Sequence, residues 1–162
     1  MAESVITVSI ITIACVICAT MLVSAVYPAV NRATSSMVST NQLLTERIQT
    51  GCEIIAEANN SSYAYIWVKN TGSRAIPQID KSDLFFGELN NFRRIPFDSA
   101  CTAASSPCWN YRIENDNNDN DKWDVGETIN ITINNGEELT PGEYYIHIVL
   151  YNGITDEDRF SI

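Results

Sequence analysis

The sequence predicts an α+β protein: a long N-terminal helix, hydrophobic and then amphipathic, followed by an antiparallel β-sandwich. Three observations carry this. Residues 5–30, VITVSIITIACVICATMLVSAVYPAV, contain no charged residue. From residue 52 the apolar spacing changes from about 3.6 to 2. The rest of the chain then reads as seven or eight short strands separated by turn residues, with no helical pattern between them. The boundary is expected at residues 1–50 for the helix and 51–162 for the sandwich.

The uncharged run exceeds the roughly 20 residues that cross a bilayer as a helix. A cleaved secretory signal would want a basic start and an apolar run of about 7–15 residues. Here the start is MAES, with Glu3 and no Lys or Arg, so an uncleaved anchor or assembly helix is expected. Glu3 on one side and Arg32 on the other do not set an orientation. Cys15 and Cys18, three apart on one face, read as packing residues. Pro28 removes a backbone donor and is expected to kink the helix rather than end it. Beyond it, Val30, Ala33, Met37, Leu44 and Ile48 recur near the helical period, with Arg32, Ser35, Ser39, Thr45 and Arg47 opposite. Gly51 is a natural stop.

The expected strands are CEIIAEA, SYAYIWVKN, DLFFGEL, FRRIPF, WNYRIEN, ETINITI, EYYIHIVLYN and DRFSI. Alternation is clearest where Ile129, Ile131 and Ile133 face one way and Thr128, Asn130 and Thr132 the other. Turn residues fill KNTGSRAIP, GELNN, NNGEELTPGE and NGITDED.

Ten basic and twenty acidic residues give a net charge of −10. No clustered basic face is left for nucleic acid. The single histidine, His147, lies in a tyrosine-rich strand and reads as a satisfied sheet residue. Trp67, Trp109 and Trp123 read as core or rim aromatics. No catalytic constellation can be built, so no enzyme is expected. Cys52 stands alone. Cys101 and Cys108 bracket a small polar loop, and a disulfide between them is expected, which would put the C-terminal region outside the cytoplasm. Sequons at Asn59, Asn60 and Asn130 agree with that location and are candidate glycosylation sites.

The stretch DNNDNDKWDVGE, residues 116–127, matches the spacing of a twelve-residue calcium loop. Asp116 takes position 1, Asn118 position 3, Asn120 position 5, Lys122 position 7 through its carbonyl, Asp124 position 9 and Glu127 position 12. Asp121 stands where glycine is usual, at a position that needs a left-handed backbone; aspartate tolerates this at some cost. No helix flanks the loop, so it is not an EF-hand. The competing reading is a solvated Asn/Asp-rich turn. Calcium is the expected ion if the loop binds one.

MAESVITVSIITIACVICATMLVSAVYPAV resembles the N-terminal helix of the type IV pilin-like proteins of archaea. It is most similar to the archaellin-like proteins of the archaeal flagellum (archaellum), of the accessory F and G type. YIWVKNTGSRAIPQIDKSDLFFG, residues 65–87, resembles the strand-turn-strand of the same group. A main filament precursor would carry a short basic leader ending in glycine before the apolar run. Its absence favours the accessory type. The resemblance implies a structural archaellum part at the cell surface, with its helix in the membrane or in a filament core. It would either form a filament or tie the motor to the envelope. The implied partners are copies of itself, other archaellum subunits and the surface-layer protein. The alternative from another class is a membrane-tethered, calcium-stabilised sandwich that binds a glycan or a surface protein.

Overall fold

The computed structural model describes residues 2–116 and 120–162. One helix, α1 (Ala2–Gln49), runs through Pro28 without a break. Proline at 28 leaves the carbonyl of Ser24 without its helical donor. Hydroxyl side chains along this helix turn back on the preceding turn, as Ser9 does to Val5 O and Ser24 to Thr20 O, both at 2.8 Å. That satisfies them without water. Every described side chain from Glu3 to Thr45 is exposed. The helix is long and apolar enough to cross a membrane.

All eight expected strands are present: β1 (Cys52–Asn60), β2 (Tyr63–Asn70), β3 (Asp83–Glu88), β4 (Asn91–Ile95), β5 (Cys108–Ile113), β6 (Thr128–Asn134), β7 (Glu143–Val149) and β8 (Thr155–Ser161). They form two antiparallel four-stranded sheets, in the orders β1-β2-β6-β5 and β4-β3-β7-β8. β8 starts three residues earlier than its sequence suggests. Asp156 and Glu157 have poor strand propensity, but the segment completes the ladder with β7 through Val149↔Thr155 and His147↔Glu157.

The chain divides into two compact units, Met1–Leu44 and Thr45–Ile162. The second contains the sandwich and the last turn of α1. Its core is the set of residues that alternation aims inward: Ala64, Ile66 and Val68 of β2, Ile129, Ile131 and Ile133 of β6, Leu84 and Phe86 of β3, and Ile146 and Ile148 of β7. Trp109 and Trp123 are fully buried, whereas Trp67 stands on the outer face of its sheet, half-buried.

The open edges β1 and β8 lie side by side where the sheets meet. A bulge between Ile54 and Ala56 resets the register of β1 on β2. There the Ile54 amide donates to Asp156 Oδ2 at 2.7 Å. Further along, Glu57 faces Asp158. Burial first, then the bond to Asp158 and its charge, push the Glu57 carboxyl above the usual glutamate range. Inward-pointing acids at an edge also discourage edge-to-edge pairing with another chain. Burial and then Asp156 push the Cys52 thiol up to about 12, so it stays a thiol.

A raised carboxyl pKa in the folded state contributes stability below the ordinary value, and that contribution is lost as pH rises through the folded value. Glu57→Gln is therefore expected to be more stable than the wild type at about pH 7, with the advantage gone at about pH 3.5. Urea melts at the two pH values measure this; an equal difference at both would remove the account of a Glu57 carboxyl raised by burial and by Asp158.

Candidate functional site

The acidic stretch sits on the connection from β5 to β6. Asp116 Oδ1 and Oδ2 accept the amides of Asn120 at 3.2 Å and Asp121 at 2.8 Å. Asn120 Oδ1 accepts the Lys122 amide at 2.8 Å, and its Nδ2 donates to Asp124 Oδ2 at 2.8 Å. Glu127 is buried, and its Oε2 accepts the Asp124 amide at 2.9 Å. Asp121 takes φ +55°, the left-handed turn that the spacing asks for at position 6. Asn118 lies outside the described residues. Among the described residues no three acidic, histidine or cysteine side chains stand together as a metal site. The loop thus has the turn of a cation cage, while its carboxyl oxygens are engaged with its own amides.

The loop is tied into the core at its second half. Trp123 is fully buried, donates Nε1 to Glu127 O at 2.9 Å and bridges to Ile76. Asn70, at the end of β2, is the other tie and is 1 % exposed. Its amide donates to Glu127 O, and its carbonyl accepts from Gly126 N, both at 2.9 Å. Its Nδ2 donates to Arg74 O at 2.9 Å and Trp123 O at 3.1 Å, and its Oδ1 accepts from Gly72 N at 3.0 Å. One buried amide therefore satisfies the turn that follows β2 and the acidic loop together. The sequence reads KNTGSRAIP as a turn, but gives Asn70 no role of its own. The signal was there: an asparagine followed two residues later by glycine, closing a strand, is a turn with a local side-chain bond.

Cys101 and Cys108 are bonded, with Cα atoms 5.5 Å apart. Beside this loop the half-buried Asp98 carboxyl is held below its usual range by the Ser105 hydroxyl and then by the Ala100 amide. His147 stacks on Phe85 across the β3–β7 pair, with ring centroids 5.8 Å apart, and Tyr145 stands tilted against Phe92 at 4.7 Å.

The three sequons differ in setting. Asn59 and Asn60 are exposed at the end of β1, beside the Ser61–Ser62 turn. Asn130 is half-buried within β6, paired with Trp67 on one side and Arg112 on the other. Its Nδ2 donates to Glu114 Oε1 at 3.1 Å. The Arg112 bond, with help from Asn130, holds the Glu114 carboxyl below its usual range, so the acceptor stays charged.

Comparison with known proteins gives this arrangement a class. The archaeal-type flagellin family model matches residues 2–160. A protein of Archaeoglobus fulgidus is 32% identical over 170 residues, 99% of each chain. The chain belongs to the archaeal-type flagellin family; it is a structural protein of the archaellum class and not an enzyme. Among solved structures, the archaellum periplasmic stator protein FlaG of Sulfolobus acidocaldarius is 25% identical with a TM-score of 0.58, covering 68% of this chain and 99% of that one. The FlaF–FlaG stator complex of the same organism gives 24% and 0.56, over 67% of this chain and 87% of that one. Flagellin FlaB1 of Methanocaldococcus jannaschii gives 12% and 0.56, over 69% and 89%, a likeness of fold.

The geometry separates the sequons. Peptide mass mapping of protein from its native cells is expected to find sugar on the peptide carrying Asn59 and Asn60 and none on Asn130, because glycosylating Asn130 would break a satisfied sheet contact. Sugar on Asn130 would contradict this.

Proposed function

We propose that this protein is an accessory archaellum subunit of the stator type, with α1 in the membrane and the sandwich outside it. There it holds other archaellum subunits and the surface-layer protein, so that the motor has something static to push against. The observation that carries this reading is the likeness to FlaG at 25% identity over 99% of that chain, against 12% for the filament protein FlaB1. The FlaF–FlaG complex supports a partner of the same kind. The uncharged helix supports the membrane part, since its side chains need lipid or other helices. The acidic head suits a wet, salty envelope space. Fractionation of the native cells tests this. An anchor is expected in the membrane fraction, absent from sheared filaments and cross-linkable to the surface layer. Recovery as a major component of purified filaments would make it a filament subunit instead.

A second reading, the calcium-stabilised binding module, is favoured by one observation: the left-handed Asp121 at position 6, with the amides of positions 5 and 6 aimed at Asp116. Asp116, Asp124, Glu127 and the Lys122 carbonyl, with Asn118 and Asn120, would hold the ion, which would offset the repulsion among the acids. Calcium is then expected to raise the melting temperature above that in chelator, and Asp116→Ala or Glu127→Ala to abolish the gain. Identical melting curves with calcium and with chelator would leave the loop a plain polar turn.

A further inference from the structure

The last turn of α1 ends in a seat made by two turns of the sandwich. A helix leaves its final carbonyls without intrahelical donors. Here the turn after β2 supplies one from outside: Ser73 N donates to Gln49 O at 2.8 Å. Thr71 N and Gly72 N then donate to Gly51 O at 3.0 and 3.2 Å, just past the helix end. This approach is possible only without a side chain at 72. A Cβ there would stand 2.5 Å from Gln49 O and 2.7 Å from Gly51 N, both backbone atoms. Asn70 shapes the same turn from beneath, through its bonds to Gly72 N and Arg74 O.

The turn between β7 and β8 closes the other side. The Tyr151 hydroxyl donates to Glu46 Oε1. Arg47 Nε donates to Asn152 O at 2.8 Å, and Asn152 Nδ2 donates to Thr50 Oγ1 at 2.9 Å. Arg74 reaches Glu46 at 3.7 Å. The guanidinium of Arg47 lies over Gly153, where a Cβ would stand 2.5 Å from Nη2. Burial and then the bond to Glu46 push the Tyr151 phenol above its usual range, so it remains a donor.

Thr50 and Gly51 alone separate α1 from β1. A linker that short still has soft dihedrals about which a helix could turn. The bonds above come from two turns on different sheets and leave no such freedom to the last helical turn. We propose that the VKNTG turn, with Tyr151 and Asn152 opposite it, is a socket that locks the foot of the helix to the sandwich. The last helical turn, from residue 45 to 49, is then held to the sandwich by hydrogen bonds instead of swivelling about Thr50 and Gly51. Gly72 and Asn70 act as positioning residues, and Glu46 and Arg47 are the keys on the helix. The lock serves an anchor and a filament subunit equally, so it does not depend on which of them the protein is.

Hydrogen exchange read by mass spectrometry on the full chain in detergent micelles tests it. Gly72→Ala is expected to make peptides over residues 45–51 and 150–154 exchange at least about tenfold faster, the equivalent of losing one or two net hydrogen bonds, with β2 and β6 protected as in the wild type. A double variant, Arg47→Gln with Tyr151→Phe, removes one key and one socket hydroxyl without changing a glycine or a turn; it is expected to loosen residues 45–51 in the same way. Should Gly72→Ala loosen the core strands as well, the double variant decides alone. Foot peptides as slow as in the wild type, in a variant with an intact core, would overturn the lock.

Discussion

One constraint governs this molecule: the first half of α1 has no face that water tolerates. Val5, Ile6, Val8, Ile10, Ile11, Ile13, Val16, Met21, Leu22 and Val23 all stand well exposed on the single chain. Side chains of this kind are each worth about 1.5–3 kcal/mol on burial, so the run carries on the order of tens of kcal/mol waiting for lipid or neighbouring helices. That exceeds the net stability of an ordinary domain, about 5–15 kcal/mol. Whatever the protein does, it does it with this helix covered. Small and hydroxyl residues along it, Ser9, Thr12, Ala14, Ala19 and Ser24 among them, let a neighbour come close, while the hydroxyls are satisfied within the helix itself.

The sandwich is built on the opposite terms. It buries its apolar surface within itself and places a large acidic excess where water or ions can meet it: in the β5–β6 connection, on β8 and in the turns. The four edge strands meet at two sides of the sandwich, which are handled differently. At the β1–β8 seam, carboxyls point inward, with Asp156 bonded to a backbone amide at the bulge and Glu57 against Asp158. On the far side the bridge from Phe97 to Trp109 and the Cys101–Cys108 bond hold β5 to the segment that follows β4. An edge that is acidic or already engaged is a poor template for an extra strand.

Within the sandwich unit, the last turn of α1 is held in a joint whose materials come from residues far apart in the chain. Asn70 is central because one side chain serves three partners in a fully buried position: it bonds the Arg74 carbonyl and adds a second bond to Trp123 O, which also accepts from Ile76 N, and to Gly72 N, which also donates to Gly51 O. The acidic loop and the helix foot are thereby neighbours through a single amide.

The sequence by itself determined the elements. A long run of uncharged apolar residues favours a helix that needs covering; alternation at period 2 favours a strand with one buried face; and glycine, asparagine and proline clusters break the chain between them. These are properties of each segment's own neighbours, so all eight strands and the long helix were readable, down to Ile129, Ile131 and Ile133 facing the core. The start of β8 was misread because Asp156 and Glu157 have no local preference for a strand and are held by their partner. Only the tertiary structure decided the sheet orders, the inward acids of the seam, the different settings of Asn60 and Asn130, and the seat of Glu46 and Arg47 on Tyr151 and Asn152. Each of these is a meeting of residues tens of positions apart, and the energy of such a meeting belongs to the packed pair, with no trace in either segment alone.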